Sequence, residues 1–405
     1  MHIALTRPRF LPLAVPLVWL LLAISAVVFI EPAPYDVLLI GLLAMFFAAG
    51  MEIPREIRIP IVLLGAFVMS NLLAAAVSSD PMFSLRSVSI RSYMVLAWLF
   101  YVCLVVTEPE KLLRMLWQGY LVAAVGTAVF GILEYYGFVH NPLWPAGLRA
   151  RGGFKDPNVF GPFLVPAALY CISRLRSSAP RVAAVYISLF LLIIFGVLLS
   201  FSRGAWINLA LSFALLLGFV LFTDRPRREK VTVVLVGGIV AVAAASIVLA
   251  AVTYTAAGGR FQQRAVLAQS YDVAQGGRFY TQRMALQRVG HTPLGVGPGR
   301  SDEEFGLAPH NLYLHVLVEG GWIAGLSFYA VIALTLWRSM RLLRWHSPLR
   351  DELLVVIAAL IGILAQSLFI DSTHWRHLWL MLGLSWALIV VAEQRAVVSR
   401  RGNLR

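Results

Sequence analysis

The chain has 405 residues, of which 60% are hydrophobic and only 13% charged. A soluble globular chain carries roughly a quarter charged residues, so this composition excludes an ordinary soluble domain and indicates a polytopic membrane protein. The net charge of +14 is no argument for a nucleic-acid partner, because membrane proteins gather Lys and Arg in their cytoplasmic loops. Cys103 and Cys171 both lie in apolar runs and read as small buried hydrophobes, not as a disulfide or metal pair.

About twenty consecutive apolar residues span a bilayer core. That rule predicts twelve membrane helices, over 10–30, 36–51, 57–79, 89–106, 112–138, 157–174, 183–201, 203–223, 231–254, 310–336, 352–370 and 376–393. The opening MHIALTRPRF runs into the first without a small-residue cleavage site and reads as a retained helix. Backbone groups in lipid must pair within the segment, so the stretches are helical, and Pro162 and Pro166 in the sixth predict kinks. With the N-terminus cytoplasmic, the cytoplasmic segments hold 21 of the 34 Lys and Arg and the outer segments hold 13. That bias places both termini inside. The expected organisation is residues 1–254 with nine helices, an outer loop over 255–309, and residues 310–405 with three helices and a tail. The outer loop is far longer than any other, and long loops usually carry function.

Four outward-facing stretches carry the chemistry. RARGGFKDPNVFGPF (Arg149–Phe163) leads into the sixth helix. Asp156 before Pro157 suits an N-cap followed by proline at the first helical position, which leaves the gathering of Arg149, Arg151 and Lys155 unexplained. SFSRGAW places Ser202, Arg203 and Gly204 at a short turn, where Arg203 either snorkels or binds a ligand. The loop supplies Arg260, Arg264, Arg278, Arg283, Arg288 and Arg300. Its segment GGRFYTQRMALQRVG reads as a short helix, with Phe279, Leu286 and Val289 on one face. Such a helix is either an interfacial amphipathic element or a phosphate site, since guanidinium pairs with phosphate oxygens.

PLGVGPG (Pro293–Gly299) lacks the Gly-Lys-Ser/Thr ending of a nucleotide loop and reads as a tight turn. Asp302, Glu303 and Glu304 read as a solvated acidic surface. In HNLYLHVLVEGG (His310–Gly321), Asn311 suits an N-cap. His315 and Glu319 are four apart on one face, at a depth where ionisable groups face a cavity or a partner; they either orient a site or bond each other.

Together, RGGFKDPNVFGPF, the SRG turn, GRFYTQRMALQRVGHTPLGVGPG and HNLYLHVLVEGG resemble the O-antigen ligase and Wzy-type polymerase superfamily of bacterial membrane glycosyltransferases. The resemblance implies an all-α fold of the GT-C type. It implies a metal-independent, inverting transfer that needs no cofactor, in the bacterial inner membrane with the active site on the periplasmic face. The implied donor is a glycan on undecaprenyl diphosphate, and the acceptor is the lipid A core or another glycan. By the same resemblance Arg203 and Arg278 match the diphosphate-binding arginines and His310 the essential histidine. Arg283 and Arg288 are candidate helpers, and Asn311, His315, Glu319, Arg151 and Asp156 are supporting residues. The chain departs from the pattern at Gln282, where relatives often carry an aromatic residue.

Arginines aimed at a departing diphosphate favour the transition state over the ground state, and an imidazole suits proton transfer near neutral pH. Two other readings stay open. One is a flippase or transporter of lipid-linked oligosaccharide, although its usual midplane site on broken helices contrasts with polar groups gathered at one surface. The other is transfer of the glycan to a protein hydroxyl.

Overall fold

The computed structural model describes residues 11–139, 149–175, 179–254, 274 and 276–402. Arg260 and Arg264 lie outside them. The described residues are helical throughout, without a strand. In chain order the helices are α1 (Leu11–Ala23), α2 (Pro34–Ala48), α3 (Arg58–Ala76), α4 (Pro81–Thr107), α5 (Pro109–Tyr135), α6 (Pro157–Leu175), α7 (Pro180–Leu199), α8 (Arg203–Phe222), α9 (Arg227–Tyr254), α10 (Arg278–Val289), α11 (Ser301–Phe305), α12 (Leu312–Arg341), α13 (Arg350–Gln366) and α14 (Arg376–Gly402). A helix overlaps each of the twelve predicted stretches. Among the described residues, eight helices are long and apolar enough to cross a membrane: α3 with its preceding turn, α4 to α8, α12 and α14. The protein is thus an all-α, multi-pass membrane protein, and both cysteines are buried and free, as expected.

One expected boundary moves with consequence. The fourth helix begins at Pro81, eight residues before the predicted start, because Asp80 caps it: its carboxylate accepts from Phe83 N at 3.1 Å, with proline at the first helical position. The extension brings Ser84 and Ser87 onto the same regular helix as Arg91. Ser84, Arg86 and Ser87 interrupt the apolar run in the first turns, so a hydropathy rule places the start after them.

The chain folds into two compact units, each built from separated segments. The first contains α1, α2, α5 to α9 and most of α13. Its centre is α6, which stays helical through Pro162 and Pro166. Trp117 of α5 stacks on Tyr170 of α6 with ring centroids 4.8 Å apart, and the Tyr120 hydroxyl donates to Phe163 O at 2.7 Å, close to where proline removes a helical donor.

The second unit contains α3, α4, α10 to α12, the end of α13 and α14. Phe328 of α12 sits between Phe67 of α3, at 5.3 Å, and Trp379 of α14, at 5.9 Å. Deeper in the helix pair, Trp386 Nε1 donates to Thr335 Oγ1 at 2.8 Å.

The second unit's main irregularity is a break in α12 at Gly321, with φ 80° and ψ −177°. A break frees backbone groups that lipid cannot satisfy. The PLGVGPG segment satisfies them: Val296 N donates to Val318 O at 2.8 Å, Gly297 N to Glu319 O at 3.1 Å, and Trp322 N to Pro293 O at 2.9 Å. Ser70 Oγ of α3 donates to Gly320 O at 2.7 Å. The segment is a tight turn as expected, and its glycines have a specific task. Gly295 has φ +85°, and a Cβ there would lie 2.6 Å from Gly321 N. Gly295→Ala is therefore expected to destabilise the protein by several kcal/mol through strain and overpacking. Gly290→Ala, with φ −62° and nothing nearer than 3.6 Å, is expected to shift stability by less than about 1 kcal/mol. Thermal unfolding of both variants in detergent checks the contrast.

Candidate functional site

In the first unit, the polar groups gather where α5, α6, α7 and α8 end or begin. Arg203 is the first residue of α8, and the Ser202 side chain caps that helix by accepting from Ala205 N at 3.3 Å. Just before the cap, Phe201 has φ 46°. A non-glycine residue there costs of order 1–3 kcal/mol and persists only where its surroundings enforce it. Phe201 is fully buried, between Tyr135 at 5.9 Å and Trp206 at 6.4 Å.

The RARGGFKD segment packs beside this turn. Ala150 N donates to Leu199 O at 2.8 Å. Arg149 donates through Nε to Ser200 O and through Nη2 to Asn158 Oδ1, both at 2.8 Å. Asp156 accepts from Asn158 N at 2.8 Å, acting as the expected cap of α6. Lys155 pairs with Glu31. Gly153 N donates to Thr127 Oγ1 at 2.8 Å, and buried Glu134 accepts from the backbone N–H groups of Arg151 and Gly152. The cationic residues that the sequence left unexplained are thus partly accounted for: Arg149 ties α6 to the α7–α8 turn, and Glu134 anchors the segment carrying Arg151.

In the second unit, Arg278 opens α10 and His310 immediately precedes α12. Asn311 is the N-cap of α12, accepting from Tyr313 N at 3.0 Å and Leu314 N at 3.1 Å. Its amide also donates to Leu368 O at 3.0 Å. His310 has φ 47°, so two of the helices that start beside a predicted site residue, α8 and α12, are preceded by a strained backbone position.

α10 is held at two places on α12. Gln282 Nε2 reaches His310 O at 3.4 Å, and Trp322 Nε1 donates to Val289 O at 2.9 Å. The departure at Gln282 thus has a structural use, an amide donor to the His310 carbonyl. Thr281 and Ala285 are buried, whereas Phe279 and Leu286 are exposed. Small residues let α10 approach α12 closely, and the larger apolar residues point away. Arg283 is exposed. Arg288 pairs with Glu304 at 2.8 Å and Arg300 with Glu303, while Asp302 accepts from Ala308 N at 2.7 Å; the acidic run therefore pairs within its own loop.

Beneath His310 lies a cluster that the sequence reading captured only in part. His315 Nε2 is 3.1 Å from Glu319 and 3.4 Å from Asp371. Glu319 also pairs with Arg91 of α4 and accepts from Gly299 N at 2.8 Å and Ser301 N at 3.2 Å. Arg91 donates in turn to Asn71 Oδ1. The expected His315–Glu319 bond exists, within a larger network. Arg91 and Asp371 were legible as ionisable residues flanked by apolar sequence, but nothing in their spacing linked them to Glu319.

With this geometry in hand, comparison with known proteins is direct. Residues 188–329 match the O-antigen ligase family model. The match runs from α7 into α12 and contains Arg203, Arg278 and His310. No curated protein matches the chain. The family match supports the superfamily resemblance and a role in O-antigen or polysaccharide assembly, with a lipid-linked glycan and an acceptor as the general partners.

Asp371 lies between α13 and α14. Burial pushes its carboxyl up, but the imidazoles of His315 and His374 and the Thr373 N–H outweigh burial and hold it below the usual aspartate value. A lowered folded-state value contributes stability above the unfolded value and loses it as pH falls through the folded one. The stability difference between wild type and Asp371→Asn is therefore expected to be full above about pH 5 and to shrink below about pH 3.9. Thermal unfolding across that range reads it.

Proposed function

We propose that this protein transfers a glycan from undecaprenyl diphosphate to an acceptor hydroxyl at the periplasmic face of the bacterial inner membrane, as an O-antigen ligase or polysaccharide polymerase. The observation that carries the proposal is the O-antigen ligase match over 188–329, which spans Arg203, Arg278 and His310. Each of these three sits at a helix start, and two of the helices are preceded by strained backbone. In this reading the chain crosses the membrane twelve times with both termini cytoplasmic, in a GT-C arrangement, and residues 255–309 form the outer loop.

The chemistry is a single displacement. The acceptor oxygen attacks the anomeric carbon as the bond to the diphosphate oxygen breaks, so configuration inverts. The electron pair leaves with the diphosphate, whose growing charge Arg203 and Arg278 stabilise, with Arg283 and Arg288 assisting. The acceptor proton passes to the His310 imidazole. Arg151 and Asp156 support the donor side, and Asn311, His315 and Glu319 fix the approach of His310. Cleavage of the donor drives the step, so neither metal nor cofactor is required.

The test is release of undecaprenyl diphosphate by purified protein in lipid, with lipid A core, additional donor or a protein acceptor supplied in parallel, with and without EDTA. Arg203→Ala, Arg278→Ala and His310→Ala are each expected to lower turnover by at least about 100-fold. His310→Asn, which tolerates positive φ, is expected to fold as wild type and remain inactive. Dependence on one acceptor names the reaction type. Normal binding or movement of the donor without release under any condition would replace this proposal with the flippase reading.

A further inference from the structure

Arg91 is a cation 1% exposed in the middle of an apolar helix, and neither the superfamily motifs nor the 188–329 match includes it. We propose that Arg91 is a positioning residue: through Glu319 it locks the outer half of α12 and the 293–301 loop into one body, and this body holds both Arg278 and His310.

The helix break at Gly321 creates the need for such a lock. It divides α12 into an outer part, Leu312–Gly320, and an inner part, and the outer part begins directly after His310. Left alone, an outer part of two and a half turns is too short to hold its own position. Three observations show what holds it. The loop supplies hydrogen bonds across the break from Val296, to Val318 O at 2.8 Å, and from Gly297, to Glu319 O at 3.1 Å. The Glu319 carboxylate binds the same loop a second time, at Gly299 N and Ser301 N. Arg91 then ties that carboxylate to α4 and, through Asn71, to α3.

The loop also rests on the first turns of α4. Arg300 Nη2 donates to Ser79 Oγ at 2.7 Å, and any Cβ at Gly299 would press 3.0 Å against Phe83. Upstream, the loop continues into α10, which Gln282 and Trp322 fasten to the two ends of the outer part. Removing the Arg91 link frees Glu319, and with it the register between α10 and His310. A displacement of about 1 Å is enough to cost on the order of 100-fold in rate.

A charge deletion at Arg91 alone leaves a buried carboxylate uncompensated and would damage the fold, so two milder variants are chosen. Arg91→Lys keeps the charge but loses the fork that reaches Glu319 and Asn71 together. Arg91→Met with Glu319→Gln removes both charges and keeps one carbonyl acceptor, for either Gly299 N or Ser301 N, which bond different oxygens of Glu319. Their folding is checked by thermal unfolding; Arg91→Lys decides if the double variant does not fold. The kinetic arm rests on the transferase reading. It expects kcat to fall by about 100-fold while the donor KM stays within about twofold. Hydrogen exchange forms an arm independent of activity: amides of residues 296–301 and 310–319 are expected to exchange at least about tenfold faster together.

A folded variant with wild-type kcat overturns the proposal. If Arg278→Ala and His310→Ala turn over normally, the transferase reading fails instead. Exchange then decides the positioning role alone, and unchanged protection of 296–301 overturns it.

Discussion

The second unit depends on one constraint: a helix broken inside a membrane must have its freed backbone groups satisfied by protein. The break at Gly321 exposes the carbonyls of Val318, Glu319 and Gly320. The 293–301 loop and Ser70 take all three. Because the partner is backbone, the loop has to come close, and the positive-φ glycines 295, 297 and 299 permit that approach. Glu319 adds a charge at the same point, and a buried carboxylate is tolerable only if paired and hydrogen-bonded. Arg91, His315 and two loop N–H groups meet that demand. Removing one partner of such a pair costs about 3–5 kcal/mol, so the fold and the placement of His310 rest on the same few atoms.

The first unit solves a related problem differently. There the α7–α8 turn and the 149–156 segment present backbone that must be paired. Arg149, Glu134, Thr127 and the Asp156 cap supply the partners. In both units strain is local and sits directly before a capped helix, at Phe201 and at His310. Burial of the Phe201 ring enforces the first. The Asn311 cap and the α10 contact to the His310 carbonyl enforce the second.

Much of the site was legible residue by residue. Asn311 and Asp156 cap the helices that their sequence context predicted, and His315 and Glu319 do face one another. Gln282, a departure from the family pattern, is a hydrogen-bond donor to the His310 carbonyl. The start of α4 was read from apolarity, whereas the Asp80 cap and Pro81 set it ahead of the long apolar run. The packing face of α10 is set by the small residues Thr281 and Ala285.

The sequence by itself determined the membrane class, the helical content and the approximate places of the helices, because those depend on local hydropathy, capping and turn chemistry. Only the tertiary structure decided that Arg91, Asn71, Glu319, His315 and Asp371 form one network, and that PLGVGPG closes over a broken helix. These groups lie up to 300 residues apart in sequence. Their interaction arises from the shared need to neutralise buried charge and pair backbone away from water, which no local pattern encodes.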